Sequence, residues 1–131
     1  MEYIYLTSSQ SRDVYSGNVW YDFNADLPKE LYFPNGCECA LVSFDTYPSM
    51  DMDCNLFCDI LEQSCFENLL LPFLACVKTP PQYFEQLHFK KTICPRIASL
   101  RLYIRKAYTN EPPSESIQFT QVVLLLRECT V

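Results

Sequence analysis

The stretch from Pro95 to Lys106 constrains the fold of this chain more than any other. Leu100, Leu102 and Ile104 fall on one side of an extended backbone, and Ser99, Arg101, Tyr103 and Arg105 fall on the other. Unbroken period-two alternation describes a strand with one buried and one wet face, whereas a helix would scatter the three aliphatics around its circumference. Such a strand needs further sheet to cover its apolar side, and the rest of the chain must supply it.

The same alternation recurs elsewhere. Residues 2–7 set Tyr3 and Tyr5 against Ile4 and Leu6. Residues 19–27 place Val19, Tyr21, Phe23, Ala25 and Leu27 on one face and Trp20, Asp22, Asn24 and Asp26 on the other, with Pro28 as the stop. A Pro34-Asn35-Gly36 turn precedes residues 37–47, where Ala40, Val42 and Phe44 share a face. Residues 54–61, whose two sides are not cleanly separated, 69–77, apolar on both sides as if buried between layers, 82–89 and 117–129 complete the set, with Pro72 marking an edge or a bulge and residues 90–95 as a link. Residues 8–18, 48–53 and 108–116 read as loops, residues 63–68 as a loop or one helical turn, and Thr79-Pro80-Pro81 as a break.

About eight strands, with no helix and no internal repeat, predict one all-β domain over residues 1–131, an eight-stranded antiparallel β-sandwich. The single jelly roll is the eight-stranded, two-sheet solution. An immunoglobulin-like sandwich would order its residues Cys…Trp…Cys, and here Trp20 precedes every cysteine.

Composition narrows the chemistry. With two glycines far apart, no phosphate-cradling loop exists. His88 is the only histidine and reads as structural, since a nucleophile would need a base and an orienting third group. Asp51 and Asp53 lack the glycine and terminal glutamate of a calcium loop and read as solvated charges. No enzyme activity and no cofactor or metal are expected. Met1-Glu2-Tyr3 lacks the basic start of a signal peptide, and apolar runs such as residues 122–126 are too short to span a bilayer. The expected setting is therefore a reducing compartment, where most of the eight cysteines serve as small core residues. The alternatives are disulfides, or a zinc site joining Cys37-x-Cys39 with Cys54-x3-Cys58; zinc knuckles use tighter Cys-x2-Cys turns.

The net charge of −6 is lopsided: residues 1–67 carry twelve acidic and two basic side chains, and residues 68–131 carry four acidic and eight basic. Folding is expected to mix these charges over one surface; the alternative is head-to-tail association between copies. Lys90, Lys91, Arg96, Arg101, Arg105 and Lys106 with Tyr103 have the makings of a nucleic-acid face, but the overall acidity argues against a dedicated binder.

Several short motifs follow one another across nearly the whole chain. They are Tyr21-Asp22-Phe23 to Leu27-Pro28, Gly36-Cys37-Glu38-Cys39-Ala40-Leu41-Val42, Phe57-Cys58-Asp59-Ile60-Leu61, and Leu71-Pro72-Phe73-Leu74 with Tyr83-Phe84. The alternating residues 97–105, Ile117-Gln118-Phe119 and a final aliphatic strand ending in Arg127 come after them. In this order they resemble the small single-jelly-roll minor capsid (penton) proteins of Polinton/Maverick elements and adintovirus-like DNA viruses. The chain departs from that family's pattern at Cys37, where a Trp is usual, at Ala75, where an Arg is common, and in lacking glycines before Ile117.

The resemblance implies a viral structural protein without catalysis. Its copies would form a homopentamer at the five-fold vertices of an icosahedral capsid, beside a double-jelly-roll major capsid protein. It further implies no membrane and no specific nucleic acid as partner, synthesis in the host cytoplasm, assembly in the host nucleus and residence in the virion. Outward side chains are the candidates for the subunit interface: Trp20, Asp22 and Asp26 on one strand, Arg101, Tyr103 and Arg105 on another. Trp, Tyr and Arg are the types enriched at the energetic centres of interfaces. The alternative is a ligand-binding sandwich, for a glycan or a protein, motivated by Trp20 and the tyrosines.

Overall fold

The structure is a computed structural model that describes residues 1–9, 17–48, 52–66, 69–77, 82–113 and 116–130. The expected break at Thr79-Pro80-Pro81 and the charge at Asp51 lie outside these residues, as do parts of four of the expected loops. The strands are β1 (Glu2–Thr7), β2 (Asp22–Tyr32), β3 (Cys37–Tyr47), β4 (Cys54–Cys58), β5 (Ser64–Phe66), β6 (Leu69–Leu71), β7 (Phe73–Val77), β8 (Gln82–Tyr83), β9 (Lys90–Lys91), β10 (Arg96–Lys106) and β11 (Phe119–Glu128). All pair antiparallel.

One sheet has the order β1-β11-β3, with β8 and β9 both on the far side of β3. The second has the order β2-β10-β4-β7, and β5 and β6 form a separate hairpin. Without that hairpin, and with β8 and β9 taken as one interrupted strand, the pairing follows one rule. The first strand pairs with the last (β1 with β11), the second with the seventh (β2 with β10), the third with the sixth, and the fourth with the fifth (β4 with β7). This is a long hairpin rolled into two sheets, the single jelly roll. The strands outnumber eight because residues 64–66 form β5, paired with β6, where a loop or helical turn was expected, and because the sixth strand is split.

The core lies between the sheets. Ile4, Leu6, Phe44, Val122, Leu124 and Leu126 come from the first sheet and meet Phe23, Leu56, Leu100, Leu102 and Ile104 from the second. On β10 Leu100, Leu102 and Ile104 are buried as the sequence marks, each stabilising the fold by about 1.5–3 kcal/mol through burial, and Ile97 joins them out of phase across an irregularity in the ladder.

Elsewhere, irregularities overturn simple alternation. On β3 the register moves from Ser43↔Val123 to Leu41↔Leu124, so Val42 is an extra residue. Cys37, Cys39 and Leu41 therefore share the core with Phe44, and the expected common face of Ala40, Val42 and Phe44 does not form. On β2, residues 27–30 stand opposite Ala98 alone, between the pairs Asp26↔Ser99 and Leu31↔Ile97. Pro28 therefore sits in a bulge on an edge strand, where its missing N–H costs no ladder bond, and the strand continues through it.

The start of β2 also differs. Val19 and Asp22 close a tight turn, Asn18 exchanges two 2.9 Å hydrogen bonds with the backbone of Asn24, and the strand begins at Asp22. Trp20 lies in that turn, is 6% exposed, and its carbonyl accepts a 2.7 Å hydrogen bond from Thr120 Oγ1. Residues 69–77 are two strands parted at Pro72, and the first leaves Leu69 and Leu70 exposed instead of buried between layers. Of residues 82–89 only Gln82 and Tyr83 are strand, while the expected link at Lys90 and Lys91 pairs with β3.

Candidate interaction surface

The outer face of the second sheet gathers four of the six expected interface residues. Alternation puts Arg101, Tyr103 and Arg105 outward on β10, and Asp22 lies diagonally across on β2. Arg101 Nε donates to Asp22 Oδ1 at 2.8 Å and its terminal nitrogen donates to Oδ2 at 2.7 Å, a fork-to-fork pair. The hydrogen bond with Asp22 is the main reason that the Arg101 guanidinium is held even more firmly protonated than usual. Asp59, in the turn after β4, accepts the Arg101 backbone N–H at 2.8 Å.

Tyr103 lies between two cations, with the Arg101 guanidinium 4.7 Å and the Arg105 guanidinium 5.0 Å from its ring centre. Its other contact is Phe57 on β4, stacked at 5.0 Å and 14°. Phe57 meets Phe73 of β7 edge-on at 5.8 Å, and Lys90 Nζ stands 4.2 Å over the Phe73 ring. The result is a row of alternating cations and rings across the sheet. Burial raises the Tyr103 hydroxyl above its ordinary pKa, opposed by the two guanidiniums, and burial lowers the Lys90 ammonium.

Trp20 is inside, so it drops out of the outward set, and the sugar-binding alternative loses its tryptophan. Asp26 is exposed, four residues along β2 from Asp22, where it lines a different feature. Phe57, Phe73 and Lys90 were not among the expected interface residues. The signal for Phe57 was present in the poorly separated faces of residues 54–61. A central strand covered on both sides has no wet face, and β4 is buried throughout.

Two clefts flank the sandwich where its sheets part. One, about 500 Å³, lies between edge strands β1 and β2, over Ile4, Leu27 and Leu31 with Glu2 and Asp26 at its walls. The other, about 480 Å³, lies at the opposite edge, over Leu41, Leu74 and Phe84 with His88 and Lys90. The lone histidine is thus an exposed loop residue.

Cys37, Cys39, Cys54 and Cys58 are buried in the core, Cys65, Cys76 and Cys94 are exposed, and Cys129 is intermediate; none of the eight is in a disulfide. Only half of the cysteines therefore serve the core. The Cys37–Cys39 and Cys54–Cys58 pairs do not join into a metal-binding group, and none of three or more His, Cys, Asp and Glu forms among the described residues. The candidate nucleic-acid cations are partly spoken for, Arg101 by Asp22 and Arg96 by Glu30 at 3.0 Å. Compared with family models, with curated proteins and with solved structures, the chain matches none.

Proposed function

We propose that this chain is a capsid-building subunit: a minor capsid (penton) protein whose copies form a homopentameric ring at the five-fold vertices of an icosahedral shell, against a double-jelly-roll major capsid protein. The observation that carries the reading is the complete jelly-roll pairing, first strand with last through fourth with fifth, in a chain whose motif order resembles that family. The fold alone serves many functions, so the surface matters as well. The Asp22–Arg101–Tyr103–Arg105 constellation is tied together by hydrogen bonds and cation–ring contacts, half-exposed, and includes the Arg and Tyr types enriched at protein contacts. A contact of this kind buries roughly 800 Å² per partner.

Size-exclusion chromatography with light scattering on the reduced protein tests the reading. The expected species is a ring with about five times the 15.3 kDa subunit mass, visible as a five-fold ring by negative-stain microscopy. A strict monomer at high concentration that also ignores the major capsid protein would overturn it.

A further inference from the structure

Arg96, Arg101 and Arg127 each hold a carboxylate, from Glu30, Asp22 and Glu38 respectively. Lys90 does not: among the described residues no carboxylate forms an ion pair with it. Its ammonium stands 4.2 Å over the Phe73 ring, in the cleft of about 480 Å³ beside β7. Burial lowers its pKa, and the one group that opposes this is the Cys76 thiol. Among the described residues no aspartate or glutamate lines the cleft; its other polar side chains are Gln86, His88 and Cys76. A partly desolvated cation above an apolar floor of Leu41, Leu74 and Phe84 is arranged to receive an anion that carries apolar groups.

The run of the cleft selects among such anions. β7 ends its sheet, so the N–H and C=O groups along its outer edge have no strand beside them among the described residues. Residues 73–76 of β7 all line the cleft. Side chains alternate between faces along a strand, and only Leu74 is out of step with β4, so a cleft that touches four consecutive residues follows the strand's edge. Four residues of extended chain span about 13 Å, which suits another extended backbone better than a compact ion.

We propose that this edge is a docking site for an extended acidic segment of a partner protein. The segment adds to β7 as a strand, an Asp or Glu side chain of it reaches Lys90, and its apolar side chains at alternate positions rest on Leu41, Leu74 and Phe84. Backbone pairing supplies affinity, and the charge and the floor together set register and selectivity. The site goes beyond the ring proposed above and is complete on a single copy, so it stands or falls separately from assembly.

Fluorescence anisotropy on the full chain tests the site. The probes are fluorescein-labelled peptides of seven residues that alternate Val and Thr and carry one Glu, placed at each position in turn. At least one is expected to bind. Replacing its Glu by Gln should weaken binding at least about tenfold, as should Lys90→Gln, while Lys90→Arg should keep most of the affinity. The two losses should not add, because each removes the same contact. On the unaltered protein, the bound peptide should slow alkylation of Cys76, which lines the cleft, and leave the exposed Cys65 and Cys94 at their free rates. The proposal is overturned if no peptide binds, or if binding ignores both the Glu and Lys90. N-methylation of the peptide backbone that leaves affinity unchanged would rule out strand addition. Decanoate that shields Cys76 as well as the peptide does would make the cleft a pocket for small amphiphilic acids and overturn the docking of a protein segment.

Discussion

Arg101 holds both carboxylate oxygens of Asp22, at 2.8 and 2.7 Å, across the β2–β10 ladder. The pair ties an edge strand to the strand that organises its sheet. Its side chains are 40% and 28% exposed, so water screens it, and geometry rather than dryness gives it strength. A double-mutant cycle with Asp22→Asn and Arg101→Gln, followed by urea unfolding, should give a coupling of about 0.5–1 kcal/mol, the upper part of the range for surface pairs. A coupling indistinguishable from zero would mean that the fork is ornamental.

Phe57 fills the outer face of the second sheet although that face looks toward solvent, because Tyr103 and Phe73 enclose it. Phe57→Ala should cost about 3–5 kcal/mol, as for a core aromatic. Tyr103→Phe keeps the stack and should change stability by less than about 0.5 kcal/mol. Thermal unfolding of the two variants separates these outcomes. A small loss at position 57 would show that the aromatic row collapses to fill the gap.

The buried thiols should be chemically silent. Burial pushes Cys58 up to about 12 and Cys37 up to about 11, and raises Cys39 well above its ordinary 9.0. At pH 8, alkylation followed by mass spectrometry should label Cys65, Cys76 and Cys94 at once, and Cys37, Cys39, Cys54 and Cys58 only on unfolding. Rapid native labelling of Cys58 would contradict its burial.

The same shifts fix the sign of a pH dependence. A thiol whose folded pKa is raised favours the folded state fully below pH 9.0, and the contribution is lost as pH climbs toward 11 and 12. The urea midpoint should therefore fall steeply above pH 9, and Cys58→Ala should flatten that alkaline limb. A midpoint that stays level from pH 8 to pH 11 would rule out this account.

Gly36 ends the turn before β3 at φ 87°, where an L side chain is strained. A Cβ there would lie 3.6 Å from Cys129 Sγ, an ordinary contact, so the penalty is in the backbone. Gly36→Ala should cost about 1–2 kcal/mol, and Gly36→Asn less, because Asn tolerates the left-handed region. Equal losses for the two variants would point to crowding instead.

Strand identity was legible wherever one face is wet and one is dry. Residues 99–105 alternate because β10 has polar neighbours outside and the core inside, and the period of two passes directly into burial. Legibility failed where that condition fails. β4 is covered on both faces, so Phe57 and Asn55 carry no period. Val42 and residues 27–30 shift the pattern by extra residues whose presence only a partner strand reveals. Trp20 reads as outward on an ideal strand, but it belongs to a turn that Asn18 and Thr120 fasten from a distance.

By itself, the sequence determined an all-β chain of alternating strands, an acidic first half and a basic second half. Local side-chain order is enough for those properties, since they depend on neighbours along the backbone. Tertiary structure alone decided which strands are edges, which charges cancel and which rings meet. Each of these is a contact between residues far apart in the chain, and rolling the hairpin is what brings early strands beside late ones and leaves β1 and β2 at one rim with β7, β8 and β9 at the other.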